Sequence, residues 1–513
     1  MASFSFEHTH GPSISQCTET SAVIWYRDDQ GVDTPPQITY WPAATITHTK
    51  LSYDSGRKSS TSVTVQVDPH ADFTSTTTLS NLTPNTVYKF EVGNQQGSFK
   101  TPGSAACSFV FGSCVGGQGY GRNAPGHEDG EGFPIFEKMM NLQPDFFVHN
   151  GDSIYADDTI QAESDNPWNE GARFITQNGV SVMPVCSDLE SMRDRYKYHL
   201  EDPALSNFLS RCPVYASWDD HEVMDNFGQE LMQHSGLGKL CDDGRRAFLD
   251  YWPIEKAEEE PTRMYRSFTW GPHVEMFILD SRSYRDVHEL RGDDKTPTME
   301  FILGEAQLKW LLQGLSSSKS TWKFVASSIP LSYPTGWPTP EVDGYDGWSD
   351  GKWDNVGGPE KELLKIFEHI RDHDIQNVIF LSGDVHYPYA ISYDPFKSGK
   401  PLIYELAATP FHALCLPPPP EGPDNTFNPT VLFSDGTFGG KLFNFGEVSI
   451  DDDGDFAFHI RDRKGSSIFD LQLRPAISVK GEQQAGRGNA FVTQTSDVLP
   501  LRQTKESTVF TAH

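Results

Sequence analysis

Apolar stretches that end abruptly on polar side chains are the strongest constraint on the fold of this chain. In FVHNGDSIYADD, residues 147–158, an apolar run leads into Gly151 and Asp152, and Tyr155 follows three positions after the aspartate. The stretches FVFGSC, VYASWDDHE and VIFLSGDVH have the same form. Short apolar runs bounded by turns are typical of buried strands, and open α/β sheets bind ligands at the carboxyl ends of their strands. The pattern therefore predicts an α/β domain with its functional site where these strands end.

The side chains at these four strand ends are of types that bind metal ions. They are Cys114, Asp152, Tyr155, Asp219, Asp220, His221, Glu222, Asp384 and His386. Taken singly, a free cysteine is usually a small buried hydrophobe and a Gly-Asp pair is usually a turn. Asp384 and His386 are two apart, so an extended backbone points both to one side. Gly151 and Gly383 lack a Cβ, which lets the main chain turn close to whatever the following aspartates hold. Together the four ends predict one metal site.

The charge balance limits the partners of this chain. The 513 residues include 41 basic and 71 acidic residues, which gives a formal net charge of −30. Such a field repels nucleic acid and anionic lipid at long range, so no nucleic-acid partner is expected. Apolar runs stay well short of a membrane span, so we expect no integral membrane contact. The sequence carries no signal for a particular oligomeric state.

The cysteines and the N-terminal residues bear on the compartment. Seven cysteines are scattered along the chain without a CxxC pair, which indicates reduced thiols. The first residues, MASFSFEHTHGPS, lack the basic and apolar regions of a secretory signal. We therefore expect a soluble cytoplasmic protein, although a processed form of a secreted protein would begin in the same way.

Patterning divides the chain into three parts. Residues 1–103 contain short alternating segments separated by turn residues, which is typical of a β-sandwich. From residue 104 to 475 apolar strands alternate with helical stretches, which predicts a layered α/β domain whose last strands are antiparallel. Residues 476–513 are polar and weakly patterned, which predicts a flexible tail. The stretch SNLTPNTVYKFEVGNQQGSFKTP resembles the end of a fibronectin type III-like domain, with Leu82 and Tyr88 spaced like that family's leucine and corner tyrosine.

The strand-end blocks also carry a family resemblance. GDSIY, DDHE and GDVH are similar to the GDxxY, GNH(D/E) and GHxH blocks of the calcineurin-like metallophosphoesterases, which include the purple acid phosphatases. GSC in place of the first aspartate block is the pattern of the PhoD-like, or alkaline phosphatase D, branch. The resemblance extends over residues 104–475 and includes LDSRSYR, QLKWL and SSIPLSY. It implies a layered αββα metallophosphoesterase domain, commonly preceded by a β-sandwich.

The resemblance implies an iron site. Asp152 matches the bridging carboxylate, and Tyr155 matches the tyrosinate that binds Fe(III). Cys114 replaces the first aspartate ligand, and His386 is the iron-site imidazole. Thiolate, phenolate and imidazole together favour iron.

The second metal site departs from the family pattern. Asp220 stands where the family has asparagine, and Asp384 replaces the first histidine of GHxH. Where one more histidine is expected, this chain has Ser327 and Ser328. Oxygen-only surroundings favour Ca²⁺ or Mg²⁺ over Zn²⁺. The predicted cofactors are Fe(III) with one or two Ca²⁺ ions, with Mg²⁺ as the alternative divalent ion.

Three further residues are candidate catalytic groups. The resemblance places His221 to contact phosphate or to protonate a leaving group, with Glu222 as a residue that could orient it. Arg282 and Arg285 follow a strand, and arginine is suited to bidentate phosphate contact. A solvated surface arginine is the alternative for either one.

The resemblance implies metal-dependent hydrolysis of small phosphate esters, in which a metal-activated hydroxide attacks phosphorus. Monoester, diester and phospholipase D-like phosphodiester substrates all remain open. A non-catalytic metal-binding or adhesion protein is the alternative of another class, although a ligand at every expected position is evidence against it. The acidic loop at residues 341–355 could hold a further Ca²⁺ through Asp354 or Asn355, or form a rim over the site.

Overall fold

A computed structural model of the chain describes residues 7–47, 50–53, 59–122, 132–161, 175–177, 180–228, 236–254, 260–286, 299–335, 346–349 and 356–476. The predicted tail beyond residue 476 and the candidate calcium ligands Asp354 and Asn355 lie outside these residues. Within them, no helix is both long enough and apolar enough to cross a membrane.

The strands and helices have the following bounds. The strands are β1 Thr9–Ser15, β2 Ser21–Asp28, β3 Gln37–Thr47, β4 Lys50–Tyr53, β5 Thr61–Thr64, β6 Thr74–Ser80, β7 Thr86–Val92, β8 Gln95–Lys100, β9 Cys107–Gly112, β10 Phe146–Asn150, β11 Ile160–Gln161, β12 Ile175–Gln177, β13 Val180–Met183, β14 Val214–Ser217, β15 Arg266–Trp270, β16 Val274–Ile278, β17 Trp322–Ala326, β18 Val378–Ser382, β19 Tyr389–Tyr393, β20 Ile403–Ala407, β21 Pro429–Ser434, β22 Asn444–Ile450, β23 Phe456–Asp462 and β24 Ser467–Leu473. The α-helices are α1 Ile135–Asn141, α2 Leu189–Leu200, α3 Pro203–Leu209, α4 Gly238–Tyr251, α5 Gly304–Ser317 and α6 Glu360–Asp372.

Two large sheets form the centre of the molecule. The first has nine strands in the order β24-β23-β22-β9-β10-β14-β1-β2-β6, and the second has seven in the order β15-β16-β17-β18-β20-β19-β21. Strands β9, β10 and β14 are mutually parallel, as are β16, β17 and β18. Strands β10 and β18 are buried along their whole length, as expected for parallel strands that are covered on both faces.

Aromatic side chains join the facing surfaces of the two sheets. Phe109 of the first sheet lies edge-on to Phe324 of the second, with ring centroids 5.1 Å apart, and Phe146 lies 5.0 Å from Trp270. Phe147, the next residue along β10, packs on the opposite face, in a cluster with residues of α1 to α4. Helices α5 and α6 cover the outer face of the second sheet. The layers therefore follow the order α, β, β, α, and the predicted mixed α/β architecture is confirmed.

The helices begin and end where local chemistry favours it. Helix α2 begins with a capping box, in which the Asp188 carboxylate accepts a hydrogen bond from the Ser191 N–H and the Ser191 hydroxyl bonds the Asp188 main chain. Helix α3 has Asp202 as its N-cap and Pro203 in its first turn, where a missing N–H costs little. Helix α6 buries the apolar residues of its core-facing stripe, Leu363, Ile366, Phe367 and Ile370.

The first hundred residues share a sheet with the rest of the chain. Strands β1, β2 and β6 extend the nine-stranded sheet beyond β14, with Ser15 of β1 opposite Val214. The Tyr215 hydroxyl donates to the Cys17 carbonyl at 3.0 Å and accepts from the Cys17 N–H at 3.2 Å. The other strands of this region form a separate sheet in which β4, β3, β7 and β8 are adjacent and β5 pairs with β3. Sequence patterning did not anticipate this continuity.

Ile14 tests whether the front region unfolds together with the α/β layers. Ile14 is fully buried in a cluster that also contains Phe146 and Tyr215. Ile14→Ala is expected to lower the free energy of unfolding by about 2–5 kcal/mol and to shift one urea transition seen by both fluorescence and far-UV circular dichroism. The exposed Val32→Ala change should leave the midpoint in place. A separate early transition in the Ile14 variant would contradict shared unfolding.

Candidate metal centre

The predicted ligands follow parallel strands that end at one edge of the two sheets. Cys114 follows β9, Asp152 follows β10, and Asp219 and Asp220 follow β14. Asp384 and His386 follow β18 in the second sheet. These residues therefore lie together where the carboxyl ends of parallel strands from the two sheets meet.

Asn150 and Gly383 bring these ends together. The Asn150 side-chain amide donates to the carbonyl oxygens of Ser327 at 2.8 Å and Leu381 at 2.9 Å, so the end of β10 is bonded to the second sheet. A Cβ at Gly383 would lie 2.9 Å from the carbonyl oxygens of Asn150 and Ser328. Because real Cβ atoms essentially never come this close to backbone atoms, only glycine fits at this crossing.

Four ligand residues adopt left-handed backbone conformations. The φ angles are 66° at Cys114, 53° at Asp152, 66° at Asp384 and 60° at His386. Positive φ is uncommon outside glycine, although Asp and His tolerate it better than most residues. Such conformations cost on the order of 1–3 kcal/mol each and are concentrated at functional sites. The strand ends therefore turn sharply at these ligands.

A first group contains a thiol, a phenol, an imidazole and a carboxylate. The Cys114 thiol donates to Asp152 Oδ2 at 3.2 Å, and the Tyr155 hydroxyl donates to the same oxygen at 3.3 Å. Tyr155 Oη lies 2.8 Å from His386 Nε2. Potential ligand atoms of Cys114, Asp152 and His386 lie within 4.8 Å of one another. These four predicted iron ligands thus form one buried cluster.

A second group consists mainly of carboxylates. Ligand atoms of Asp219, Asp220 and Asp384 lie within 4.8 Å of one another, and so do those of Asp152, Asp220 and His221. Asp219 Oδ2 and Asp220 Oδ1 are buried and have no hydrogen-bond partner among the residues that the structure describes. Buried carboxylate oxygens without a donor are suited to a cation, so this donor set fits hard divalent ions.

Each of two aspartates has one oxygen held by the protein. Asp219 Oδ1 accepts from Ser328 Oγ at 2.8 Å and from Arg282 Nε at 2.5 Å. Asp220 Oδ2 accepts from the Asn226 N–H at 2.8 Å. Asp219 Oδ2 accepts no hydrogen bond from the described residues, and Asp220 Oδ1 has the Arg282 Nη2 atom 3.5 Å away, so each aspartate can still give a cation one ligand atom.

The electrostatics of the cluster reflect buried negative charge. Burial, followed by the neighbouring Cys114 and Asp220, raises the pKa of Asp152 well above its usual range. Burial and the nearby Asp220 and Asp219 likewise raise the pKa of Asp384. Burial raises the pKa of the Cys114 thiol to about 12. Thiolate and carboxylate ligands would therefore need cationic charge to stay ionised here.

Neighbouring groups orient the side chains of the first group. His386 Nδ1 lies 2.7 Å from the Leu414 carbonyl, which leaves Nε2 facing Tyr155 and the metal group. Burial lowers the pKa of His386 to about 4, so its imidazole is neutral. The Cys114 sulfur lies 3.0 Å from the Ser113 hydroxyl and accepts from the Thr409 hydroxyl at 3.0 Å. Such outer contacts fix ligand orientation in metal sites.

Glu222 connects two ligand loops instead of orienting His221. Its buried carboxylate accepts from the Ser153 hydroxyl at 2.7 Å and from main-chain N–H groups of Ser153, Asp152 and Asp219. His221 Nδ1 instead lies 2.9 Å from Asp157 Oδ1. The suggestion that Glu222 orients His221 is therefore corrected, because its oxygens are engaged elsewhere. Spacing gave no signal for Asp157, which is 64 residues away in sequence.

The Tyr155 ring is held between two neighbours. The His221 ring stacks on it with centroids 4.1 Å apart and planes 28° apart. A Cβ at Gly117 would lie 2.4 Å from three atoms of the Tyr155 ring. Gly117 thus presents a flat main-chain surface to the phenol, and the two contacts fix the ring.

Arg282 and Arg285 are buried and bonded to acids. Arg282 forms a bidentate pair with Asp346, with both distances 2.7 Å, in addition to its bond to Asp219. Arg285 donates to the carbonyls of Ser281 at 2.8 Å and Asp346 at 3.0 Å and also contacts the Asp346 carboxylate. Neither is a solvated surface arginine, since Arg282 is 0% and Arg285 3% exposed.

Fold and candidate site together define a layered α/β protein with a buried, carboxylate-rich group of potential metal ligands, which is the arrangement expected of a metallophosphoesterase. The model of the PhoD-like phosphatase family matches residues 109–442, and the chain belongs to that family. It is 26% identical over 333 residues to alkaline phosphatase D of Bacillus subtilis (strain 168), a match over 60% of this chain and 52% of that protein. The chain thus matches about half the length of that relative.

A solved structure described as that of PhoD shares the fold. It superposes with a TM-score of 0.64 at 20% sequence identity and covers 93% of this chain and 92% of its own. The similarity extends over the front sheets as well as the α/β layers.

Gly117→Ala tests the contact that fixes Tyr155. The added methyl group is expected to displace the phenol ring and so lower the metal content after gel filtration, measured by elemental analysis. Gly119→Ala is the control: a Cβ there would meet nothing within 4 Å, and because Gly119 has a φ of 81° whereas Gly117 has no positive φ, any backbone strain falls on the control and not on the Gly117 variant. Equal metal content in the two variants would show that the Gly117 contact does not position the ligand.

Proposed function

We propose that this protein hydrolyses small phosphate esters at the metal centre. The observation that carries the proposal is the convergence of Cys114, Tyr155 and His386 with a set of buried carboxylates. Membership of the PhoD-like phosphatase family and the similarity to an alkaline phosphatase D support the same chemistry. Because the match covers only about half of that relative, the activity needs a direct test.

The donor types suggest how metal ions would be divided between the two groups. Cys114, Tyr155 and His386 would hold Fe(III), and Asp152 would bridge to the second group. Asp220 and Asp384, together with Asp219, would hold one or two Ca²⁺ ions, or Mg²⁺. When bound, such cations would supply Lewis-acid activation of water and neutralise phosphate charge.

His221 is the proposed proton donor to the leaving alcohol. Its side chain is 12% exposed, whereas the Tyr155 ring beneath it is fully buried. Burial lowers the His221 pKa, but Asp157, Asp220 and Asp225 raise it and prevail, so the ring is held protonated. Asp157 bonds Nδ1, whereas the exposed Asp225 carboxylate lies 3.7 Å from Nε2, too far for a hydrogen bond, so Nε2 can still donate to a substrate. A protonated imidazole beside the phosphate would assist departure of a poor leaving group.

The two arginines have a positioning role in this proposal. The sequence suggested phosphate contact, but the donors of Arg282 and Arg285 already bond Asp346, Asp219 and main-chain carbonyls. Arg282 also lies 3.5 Å from Asp220. It thereby offsets part of the carboxylate charge and fixes the orientation of two ligands.

We also propose that residues 1–103 form a fibronectin type III-like module, which precedes a metallophosphatase domain at residues 104–475. The Tyr88 hydroxyl accepts from the Thr83 N–H at 2.9 Å, which supports the corner-tyrosine assignment. All seven cysteines are unpaired and buried, which supports the proposed intracellular location.

Loss of a first-group ligand tests the proposed hydrolysis. Cys114→Ala and Asp152→Ala are each expected to lower kcat/KM for an aryl phosphate or a bis-aryl phosphate by at least about 10³-fold, equivalent to about 4 kcal/mol. Cys107→Ala removes a buried thiol from the first residue of strand β9, at the opposite end of the strand from Cys114, and should retain activity.

The same assays separate the substrate classes. Hydrolysis of the aryl phosphate alone indicates a phosphomonoesterase, and hydrolysis of the bis-aryl phosphate indicates a phosphodiesterase, with choline release from phosphatidylcholine as the phospholipase D-like case. Full turnover by either ligand variant would refute the assignment. A metal-loaded native protein inert toward all three substrates would instead favour a non-catalytic metal-binding or adhesion role.

Asp157→Asn tests the orientation of His221. We expect kcat to fall about 10–10²-fold for an alkyl ester and much less for a nitrophenyl ester, which needs little protonation. Asp158→Asn is the matched control, because it removes a neighbouring negative charge and keeps the bond between Asp157 and His221. Equal losses on both esters would show that Asp157 does not act through leaving-group protonation.

A further inference from the structure

A small cavity lies beneath the metal-site loops. Its volume is about 10 Å³, which is the volume that one water molecule needs. Residues from strand β10, from helix α2 and from the segment after helix α4 line it, among them His149, Ser153, Tyr196, His199 and Trp252. The cavity is separate from the two ligand groups, and Ser153 connects it to them.

Three buried polar atoms belong to residues that line this cavity. His149 Nδ1, Tyr196 Oη and His199 Nε2 have no hydrogen-bond partner within the part of the chain that the structure describes. The Tyr196 hydroxyl also lies near the Ser153 hydroxyl, which already donates to Glu222 and accepts from Trp252, and the two hydroxyls make no hydrogen bond of normal length and angle. Leaving a buried polar atom unbonded is costly, so three of them around one small space indicate a shared partner.

The proton positions define what that partner must do. His199 Nδ1 lies 2.9 Å from the Ser153 carbonyl, which can only accept, so Nδ1 carries the proton and Nε2 has a free lone pair. Burial and the nearby Arg195 lower the pKa of His199, and burial lowers that of His149 to about 3, so both rings are neutral. The Tyr196 hydroxyl can donate or accept. The cavity therefore needs a small ligand that both donates and accepts.

We propose that the cavity binds one water molecule, which donates to His199 Nε2 and bonds the Tyr196 hydroxyl and His149 Nδ1. Water fits both the size and the mixture of donor and acceptor groups. A desolvated cation fits less well, because none of these residues brings an ionised ligand.

The water would support the metal site through Ser153. The Ser153 carbonyl accepts from His199, and its hydroxyl accepts from Trp252 Nε1 at 2.9 Å and donates to Glu222 at 2.7 Å. Glu222 in turn holds the main chain at Asp152 and Asp219. The proposed water thus fixes helix α2 and strand β10 under the loops that carry the ligands.

A crystal structure at about 1.5 Å resolution gives the direct test. We expect one spherical density peak about 2.7–3.2 Å from at least two of His149 Nδ1, Tyr196 Oη and His199 Nε2. A cavity without density would overturn the proposal. A peak with anomalous scattering would also overturn it, since that result would show a metal ion.

Tyr196→Phe gives a second test, in which the sign of the change in Tm distinguishes a hydroxyl bonded to water from one without a partner. If water bonds the hydroxyl, its removal leaves the water short of a partner, and Tm should fall by about 1–2 °C. If the hydroxyl has no partner, its removal relieves an unsatisfied group and Tm should rise. Tyr40→Phe, in the front sheet, controls for the general effect of losing a hydroxyl. An unchanged or higher Tm for Tyr196→Phe, relative to that control, would contradict the bound water.

Discussion

Negative charge buried between two sheets is the constraint on which the rest of this structure depends. Asp152, Asp219 and Asp220 are almost fully buried, and Asp384 lies beside them. Removing carboxylates from water is expensive unless an opposite charge replaces the lost hydration. Among the described residues, Arg282 is the cation bonded to these ligands. Even with the protonated His221 beside Asp152 and Asp220, one guanidinium cannot balance four carboxylates, so in the apo state protons would do so, and metal binding would release them.

The fold counters this repulsion with main-chain and side-chain bonds that keep the acids in place. Asn150 connects the end of β10 to the second sheet, and Glu222 joins the loops after β10 and β14 through three N–H groups. Burial raises the pKa of Glu222 to about 7, so its negative charge is only partial at neutral pH. The left-handed φ angles at the ligands are maintained by this network, because unfavourable backbone conformations persist only where the surroundings determine them.

Sequence patterning predicted where the strands end, because an apolar run followed by polar residues marks the point at which one buried strand passes into a loop. It also predicted that strands alternate with helices between residues 104 and 475. It did not reveal the partners of those strand ends. Asp157 and Asp346 meet His221 and Arg282 only through tertiary contacts, 64 residues away in both cases. Strand β1 pairs with β14 through one residue pair, Ser15 with Val214. A single pair leaves no repeating pattern in the sequence from which the pairing could be predicted.

In the second group, acids and serines stand where the family pattern has histidines, and the hydrogen bonds of these residues are consistent with binding a hard cation. Ser328 does not act as a ligand in place of the expected histidine, because its hydroxyl donates to Asp219 Oδ1. That bond and the Arg282 bond occupy one oxygen and leave Oδ2 available. In Asp220 the Asn226 N–H occupies Oδ2, and Oδ1 makes no hydrogen bond but lies 3.5 Å from Arg282 Nη2. If each carboxylate gives one oxygen, a large ion with flexible coordination geometry keeps positions for water or substrate. This arrangement supports the proposed calcium-type second site better than a tetrahedral zinc site, which would have few positions left.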